Sequence, residues 1–215
     1  MKGLSGVSDV TNRERKHANY NCAGVLIIAD LSYSLNELDS IRALDNVFLM
    51  AKKRYPVYIV CATCKKELFI RHGYIPCIVP ISPFAGYKNP VLRLLYGLLT
   101  ILKAIKVIKD APNIKLIFIH SGHIHMGLAA LIVSKFLHRR YVIRVNEDAI
   151  LSLRFYLRNF RLFPRFLERV ISCLLCRLER YVIERADGVA TQGVHDYKRI
   201  KTFRRDVCFI PIGVD

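Results

Sequence analysis

Short, uninterrupted runs of apolar residues recur along this 215-residue chain and alternate with longer stretches of helical periodicity. The run Gly24–Ala29 is bounded by turn-forming residues and contains no polar side chain that would mark a solvent-facing side. A strand of this kind is buried on both faces, which is typical of a parallel sheet covered by helices. The other candidate strands are 57–61, 76–81, 115–120, 141–145, 188–191 and 207–210, and the helical stretches include 37–54, 89–110, 127–138 and 165–186. This alternation predicts an α/β fold, a doubly wound and mostly parallel Rossmann-like sheet with helices on both faces.

Residues 1–22 are polar and basic, and they lack the apolar core of a secretory signal. We therefore expect a flexible basic tail at 1–22 and one domain at 23–215. Without an export signal, the seven cysteines fit a reducing cytosol, so the sequence predicts a cytoplasmic location. The pairs Cys61/Cys64 and Cys173/Cys176 are too far apart for a zinc ribbon, and no metal site is predicted.

Polar side chains follow three of the predicted strands, at the points where the strands end. They are Ser32 and Tyr33 after the first strand, His120, His123 and His125 at the fourth, and Asn146, Glu147 and Asp148 after the fifth. Ligands of open α/β sheets bind beyond the carboxyl ends of the strands, so these residues are the candidates for a binding site. Structural roles are the alternatives: turn residues for Ser32 and Tyr33, a buried hydrogen-bonded histidine for His120, and helix caps for His123 and Asp148. No G-x-G-x-x-G pattern follows the first strand, so the dinucleotide-binding fingerprint is missing.

The fifth strand carries a charged residue, Arg144, inside an apolar run. A buried charge needs a partner, because removing it from water is costly. Glu147, three residues later, is the partner that the sequence suggests.

The last forty residues carry a resemblance to a known family. The helix at 165–186 leads through Ala186-Asp187-Gly188-Val189 into a short strand, and the chain closes on Ile210-Pro211-Ile212-Gly213-Val214-Asp215. This order resembles the end of the N-terminal domain of GT-B glycosyltransferases of family 4, which runs ADxVIxxS and then KVxVIPNGVD. Gly193 stands where the family usually has Ser, and Ile212 where it usually has Asn. The resemblance extends over nearly the whole chain after residue 22.

The resemblance implies the acceptor-binding half of a retaining glycosyltransferase that needs no metal or other cofactor. Such an enzyme moves a sugar from a nucleotide-sugar to a hydroxyl, here on a lipid-linked or envelope glycan acceptor. His120 and His123 lie near the histidines of the family pattern DxIHxHx, and Asp148 matches an acidic residue that follows the fifth strand. By this comparison Asp148 and His123 are catalytic, and the acceptor is contacted by Ser32, Tyr33, His120, Asn146 and Glu147. The family's frequent Gly-Gly pair is missing at the Ser32 loop.

In this family the nucleotide-sugar donor is bound mainly by a C-terminal domain with an E-x7-E motif. Neither that domain nor its motif is found in this sequence. We therefore expect little or no transferase activity from this chain alone, and a donor-binding domain or subunit as a partner.

Residues 151–169 combine a basic helical face with an aromatic one, and Pro164 separates the first predicted helix of this stretch, at 151–163, from the next. The arginines are Arg154, Arg158 and Arg161, continued by Arg165, at a spacing that places them on one side, with Leu153, Tyr156, Leu157 and Phe160 on another. This arrangement is typical of a helix lying in an anionic membrane interface. An ordinary core-packing helix with solvated arginines is the alternative.

The charge balance keeps two other functions open. The chain has 34 Lys and Arg residues against 17 Asp and Glu, a net charge of +17, which suits membranes, phosphate-bearing substrates or nucleic acid. A non-catalytic subunit of a split glycosyltransferase is one alternative. A basic nucleic-acid-binding module is the other, but it is disfavoured because no nucleic-acid motif occurs and the aromatics of 151–163 do not interleave with its arginines.

Overall fold

The computed structural model describes residues 23–29, 44–45, 48, 51–61, 66–79, 90–120, 124–145 and 165–210. The strands are β1 (Gly24–Ile28), β2 (Val57–Cys61), β3 (Ile75–Ile78), β4 (Ile114–Ile119), β5 (Arg140–Val145), β6 (Gly188–Thr191) and β7 (Val207–Phe209). The helices are α1 (Lys66–Arg71), α2 (Pro90–Asp110), α3 (Ile124–Leu137), α4 (Arg165–Arg185) and α5 (Val194–Lys201). Residues 44, 45, 48, 51 and 52 are also helical.

The seven strands form one sheet in the order β3-β2-β1-β4-β5-β6-β7, and every neighbouring pair is parallel. The order reverses between β1 and β4, which are adjacent although β2 and β3 intervene in the sequence. The register aligns Ile28 with Ile119 and Ile119 with Ile143, so the central strands end at one edge. In open α/β sheets, this reversal point is where ligands bind.

Helices cover both faces of the sheet, as the sequence predicted. One face packs against α2, α3, α4 and α5 through a core that includes Leu26, Ile28, Ile143 and Val182. The opposite face, called here the α1 face, packs against Phe69 of α1 and the helical residues Leu44 and Phe48. Strand side chains alternate between the two faces, which explains why the apolar runs in the sequence are uninterrupted.

Most element boundaries agree with the sequence prediction, and the differences have local causes. Strand β3 ends at Ile78, earlier than the predicted residue 81, and it lies at an edge of the sheet, where proline is tolerated. Helix α1 was not predicted, because at six residues with Phe69 as its buried side chain it has no visible periodicity. It ends at Arg71, and Gly73, whose positive φ is 82°, permits the left-handed turn into β3. Helix α3 begins at Ile124, three residues before the predicted start.

Helix α2 exposes apolar side chains and buries a polar one. Leu98 and Leu102 are 52% and 64% exposed, whereas Thr100 is fully buried. None of the helices in the described ranges combines the length and the apolar composition that crossing a bilayer requires.

Candidate functional site

The carboxyl ends of β1, β4, β5 and β6 form one continuous edge of the sheet. The residues at these ends are Ala29, His120, Val145 and Thr191, and all four are buried. Neighbouring strands hold these residues in order, because each strand is paired in register with the next. This edge is the candidate functional site.

Most of the residues that the sequence proposed for this site lie outside the described part of the chain. They are Ser32, Tyr33, His123, Asn146, Glu147 and Asp148. Their segments continue from Ala29, His120 and Val145, the described ends of three adjacent strands. The topology therefore starts all three segments from the same edge, while the positions of these side chains remain predictions.

His120 is the one proposed acceptor-contacting residue whose side chain is described. It directly follows β4, is 8% exposed, and donates its backbone N–H to the carbonyl of Ile28 at 3.0 Å. Its Nδ1 lies 3.5 Å from an Nη1 atom of Arg144, in the neighbouring strand β5. Because guanidinium only donates hydrogen bonds, this contact makes Nδ1 the acceptor and leaves the ring proton on Nε2.

Burial and the adjacent guanidinium control the charge of this pair. Desolvation and, to a lesser extent, the Arg144 charge lower the pKa of His120 to about 3. Burial also lowers the pKa of Arg144, which is 4% exposed, but a guanidinium remains charged at neutral pH. The pair is therefore a neutral imidazole beside a fixed positive charge. Such an imidazole is a weak base at neutral pH, so it is suited to hydrogen bonding and less suited to proton abstraction.

His120 and Arg144 both belong to the α1 face of the sheet. Ile143 and Val145 belong to the core on the opposite face, and alternation along β5 turns Arg144 the other way. The same alternation along β4 groups His120 with Phe118, which packs in the core of the α1 face.

A hydrogen bond from α2 holds the end of β1 at this edge. The buried Tyr96 hydroxyl donates to the Ala29 carbonyl at 3.1 Å, across 67 residues of sequence. That carbonyl is the last described group before the Ser32 and Tyr33 segment. The sequence offered no signal for this contact.

Sequence reasoning also missed a buried ionic cluster next to β6. Arg199 of α5 donates to both carboxylate oxygens of Glu179 in α4, at 2.8 and 3.2 Å, and to Asp196 at 3.3 Å. Glu179 and Asp196 are both buried, so the guanidinium compensates for two desolvated carboxylates. The cluster joins α4 to α5, and its role is structural. Only the three-residue spacing of Asp196 and Arg199 was visible in the sequence.

The predicted membrane-binding arginines Arg154, Arg158 and Arg161 lie outside the described residues. Arg165 is the first residue of α4, but its side chain is also outside the description. Glu147, which the sequence suggested as the partner of Arg144, also lies outside the described residues.

No group of His, Cys, Asp and Glu side chains within the described ranges is arranged to hold a metal ion. Cys173 and Cys176 lie one turn apart on α4, and neither is in a disulfide bond. Cys61 is buried in the core of the α1 face and is not in a disulfide bond, while Cys64, the other cysteine of that pair, is outside the described residues.

Comparison with solved structures connects this fold with sugar-transferring enzymes. The chain is similar to HepE of Anabaena in complex with UDP (15% identity, TM-score 0.55, 89% of this chain and 44% of that one). It is also similar to a UDP-glucosyltransferase from Polygonum tinctorium capable of glucosylating indoxyl (11%, 0.56, 89% and 52%). A third similar structure is CalG4, the calicheamicin glycosyltransferase (12%, 0.54, 90% and 53%). No protein-family model matches the sequence, and no curated protein sequence does.

These structures are glycosyltransferases of the GT-B fold, and the chain shares that fold. It spans about half the length of the solved structures that it matches. At identities of 11–15% the likeness concerns the fold alone.

Proposed function

We propose that this chain is the acceptor-binding, N-terminal half of a GT-B glycosyltransferase related to family 4. In this proposal a sugar moves from a nucleotide-sugar to a hydroxyl of a lipid-linked or envelope glycan. The main support is that the chain matches glycosyltransferases over 89–90% of its own length and 44–53% of theirs. HepE has been crystallised with UDP-glucose, which makes a UDP-sugar the first donor to test.

The proposed chemistry belongs to the carboxyl edge of the sheet. Asp148 and His123 are assigned the catalytic roles, because a carboxylate and an imidazole can accept a hydrogen bond or a proton from the attacking hydroxyl. Ser32, Tyr33, His120, Asn146 and Glu147 are assigned to acceptor binding. For His120 the lowered pKa supports binding over proton transfer. Retention of anomeric configuration, without a metal, follows from the family resemblance.

The donor nucleotide is assigned to a second domain or subunit, as in the family. Turnover of a nucleotide-sugar by these 215 residues alone is therefore expected to be negligible. The competing proposal is a non-catalytic subunit of a split glycosyltransferase, in which the chain supports a partner that carries the catalytic groups.

We further propose that the protein works on the cytoplasmic side of an anionic membrane, where a lipid-linked acceptor is found. The support is an outer surface on α2, α3 and α4, called here the α2–α4 surface. It exposes large apolar side chains, namely Leu95, Leu98, Leu102, Ile132, Phe136, Phe166, Val170, Leu174 and Tyr181. A groove of about 480 Å³ lies within it, lined by Leu131, Ile132, Lys135, Phe136 and Tyr181.

The charges on the α2–α4 surface favour an acidic lipid bilayer, and not another protein, as the partner that covers this surface. Its exposed basic side chains are Lys106, Lys109, Lys135, Arg169, Arg177, Arg180 and Arg185, against the exposed acids Asp110 and Glu184. Apolar side chains among cations are typical of surfaces that enter the headgroup region of acidic lipids. Arg154, Arg158, Arg161 and Arg165 would extend this basic character.

Sugar incorporation in cells tests the catalytic assignment. Membranes and extract from cells lacking the gene are supplied with radiolabelled UDP-sugars and with the purified chain, and label in the lipid and glycan fractions is counted. We expect the wild-type chain to restore incorporation, and His123→Ala and Asp148→Asn each to lower the rate about 100-fold or more.

His138→Asn and Asp110→Asn are the matched controls, because both residues are exposed and precede β5 and β4, at the opposite end of the sheet from the carboxyl edge. The controls should retain the wild-type rate. If deletion of the gene abolishes incorporation while the His123 and Asp148 variants restore it fully, the chain is the non-catalytic subunit instead.

A further inference from the structure

The groove between α3 and α4 combines apolar walls with a cationic side chain. Its volume of about 480 Å³ is typical of small-molecule sites. The walls are formed by Leu131, Ile132, Phe136 and Tyr181, and Lys135 also lines the groove. All of these residues except Leu131 are exposed, so the groove opens outward on the α2–α4 surface.

The charges at this groove are complementary to an anion. The Arg185 guanidinium lies 5.3 Å from the centre of the Tyr181 ring, so one cation lines the groove and a second contacts one of its walls. The described residues that line the groove include no acid. Glu184, three residues after Tyr181, accepts a hydrogen bond from Arg180 at 2.7 Å, and this ion pair offsets its charge.

These features favour a ligand with a hydrocarbon body and an anionic end. Exposed aliphatic and aromatic carbons favour hydrocarbon, because covering them removes apolar surface from water. Neighbouring cations favour a phosphate on the same molecule, as in acidic lipids. A second copy of this chain is disfavoured, since it would bring another net charge of +17 against these cations.

The groove is distant from the carboxyl edge of the sheet. Helix α3 begins at Ile124, four residues after His120 at that edge, and returns toward the start of β5. At about 1.5 Å per residue, Ile132 and Phe136 lie roughly 12–18 Å further along α3 than its first residue. A phosphate held at Lys135 is therefore separate from the residues at the carboxyl edge.

We propose that the groove between α3 and α4 binds one hydrocarbon chain of an anionic lipid, whose phosphate is held by Lys135 and Arg185. This lipid is distinct from the acceptor, and it anchors the protein on the bilayer. The inference goes beyond the proposed function, because it assigns a second lipid site that takes no part in sugar transfer.

Calorimetric titration of the full 215-residue chain with decyl phosphate, below its micellar concentration, tests the groove without a membrane. Decyltrimethylammonium has the same chain with the opposite charge, and inorganic phosphate has the charge without the chain. We expect one decyl phosphate to bind per chain, at least about tenfold more tightly than decyltrimethylammonium, because the groove is cationic. Inorganic phosphate alone should show no saturable binding, since the hydrocarbon supplies most of the affinity.

Two pairs of variants at exposed positions locate the binding site. Phe136→Ser should weaken decyl phosphate about fivefold or more, because it removes a wall of the groove, whereas Leu98→Ser, on α2 outside the groove, should bind normally. Lys135→Gln should weaken decyl phosphate about fivefold and narrow the difference between the two amphiphiles. Its matched control is Lys198→Gln on α5, which should keep the wild-type affinities.

Four results would overturn the proposal. The first is no saturable binding of decyl phosphate to the wild-type chain, and the second is equal affinity for the anionic and cationic amphiphiles. The third is an equal loss in Leu98→Ser and Phe136→Ser, which would show binding anywhere on the α2–α4 surface. The fourth is a wild-type dimer in sedimentation velocity that Phe136→Ser dissociates, because a second copy would then cover the groove.

The titration contains no sugar donor, acceptor or vesicle. Failure of the groove to bind decyl phosphate would therefore leave transfer of label from a UDP-sugar unaffected, and loss of that transfer would not contradict the lipid site.

Discussion

His120 illustrates how position in the fold changes the chemistry of one side chain. In the sequence it is one of three histidines within six residues, and a free imidazole can donate, accept and change charge near neutral pH. In the folded chain it is buried beside Arg144, and its pKa falls to about 3. The same residue is thereby fixed in one protonation state, which suits it to recognition.

The protonation of His120 predicts a pH dependence of stability. The pKa falls from 6.5 to about 3 on folding, so between these values the unfolded chain binds more protons at this site. The free energy of unfolding therefore decreases as the pH falls below about 6.5. We expect this site to contribute a loss of about 2 kcal/mol between about pH 7.5 and about pH 5, measured by urea denaturation.

His120→Gln should remove this contribution, whereas His195→Gln, at an exposed position, should keep it. An identical decline in the wild-type chain and in His120→Gln would show that His120 is not held in its neutral form.

Helices α3 and α4 pack closely because a glycine lies at their contact. A Cβ atom on Gly127 would come within 2.8 Å of a methyl group of Val182, and 3.6 Å from Ile143. Helix α4 is tied to β5 on the same side, where the Tyr141 hydroxyl donates to the Val182 carbonyl at 2.6 Å. Val182 therefore has little freedom to move away, and the site requires a residue without a side chain.

Gly127→Ala is expected to destabilise the protein despite the better helix propensity of alanine. Overpacking costs about 1–3 kcal/mol, and a 2.8 Å contact with a stiff valine side chain places this site in the upper part of that range. The propensity gain offsets about 1 kcal/mol, so a net loss of up to about 2 kcal/mol should appear in urea denaturation. In a Val182→Ala background the clash is removed, and Gly127→Ala should be neutral or stabilising. If the effect has the same sign and size in both backgrounds, α3 and α4 are not in close contact here.

The whole molecule combines a net charge of +17 with the exposed apolar side chains of the α2–α4 surface. The exposed apolar side chains of this surface lie on three helices that also carry exposed lysines and arginines. The carboxyl edge of the sheet lies at the ends of these helices, so a bilayer on their outer side would leave that edge accessible. This geometry fits an enzyme half that takes its acceptor from a membrane.

Vesicle sedimentation tests the α2–α4 surface. We expect the wild-type chain to bind vesicles of phosphatidylcholine with phosphatidylglycerol, and binding to weaken without the acidic lipid or at high salt, because screening reduces the attraction. Leu102→Glu combined with Phe136→Glu should lower binding fivefold or more, since both side chains are 64% exposed. Val194→Glu, on α5, is the control and should bind normally.

A different result would reassign the membrane contact. If Arg154→Glu combined with Arg158→Glu abolishes binding and the Leu102 and Phe136 variant does not, the predicted helix at 151–163 is the contact instead. Equal binding by all variants would leave neither surface supported.

Much of the fold was accessible from local patterns. The runs at 57–61 and 188–191 coincide with β2 and β6, and α4 begins at the predicted Arg165, because burial on both strand faces and a helical apolar stripe are both visible in a short window of sequence. Helix α1 was missed because six residues with Phe69 as the buried side chain leave no stripe. The Glu179–Arg199 pair was also missed, since nothing local relates residues 20 positions apart.

The candidate site, too, could be predicted from the sequence only in part. The alternation of strands and helices in the sequence predicted which residues follow each strand, and therefore that His120 lies at a strand end. Covalent order alone determines which residues come after a strand. The fold brings Arg144 to His120, 24 residues away, because the register of β4 and β5 sets that distance. Glu147, which the sequence suggested as a partner for Arg144, lies outside the described residues and stays a prediction. The burial of Arg144 and the protonation of His120 were decided by tertiary structure, since desolvation depends on the groups that pack around a side chain and not on its neighbours in the chain.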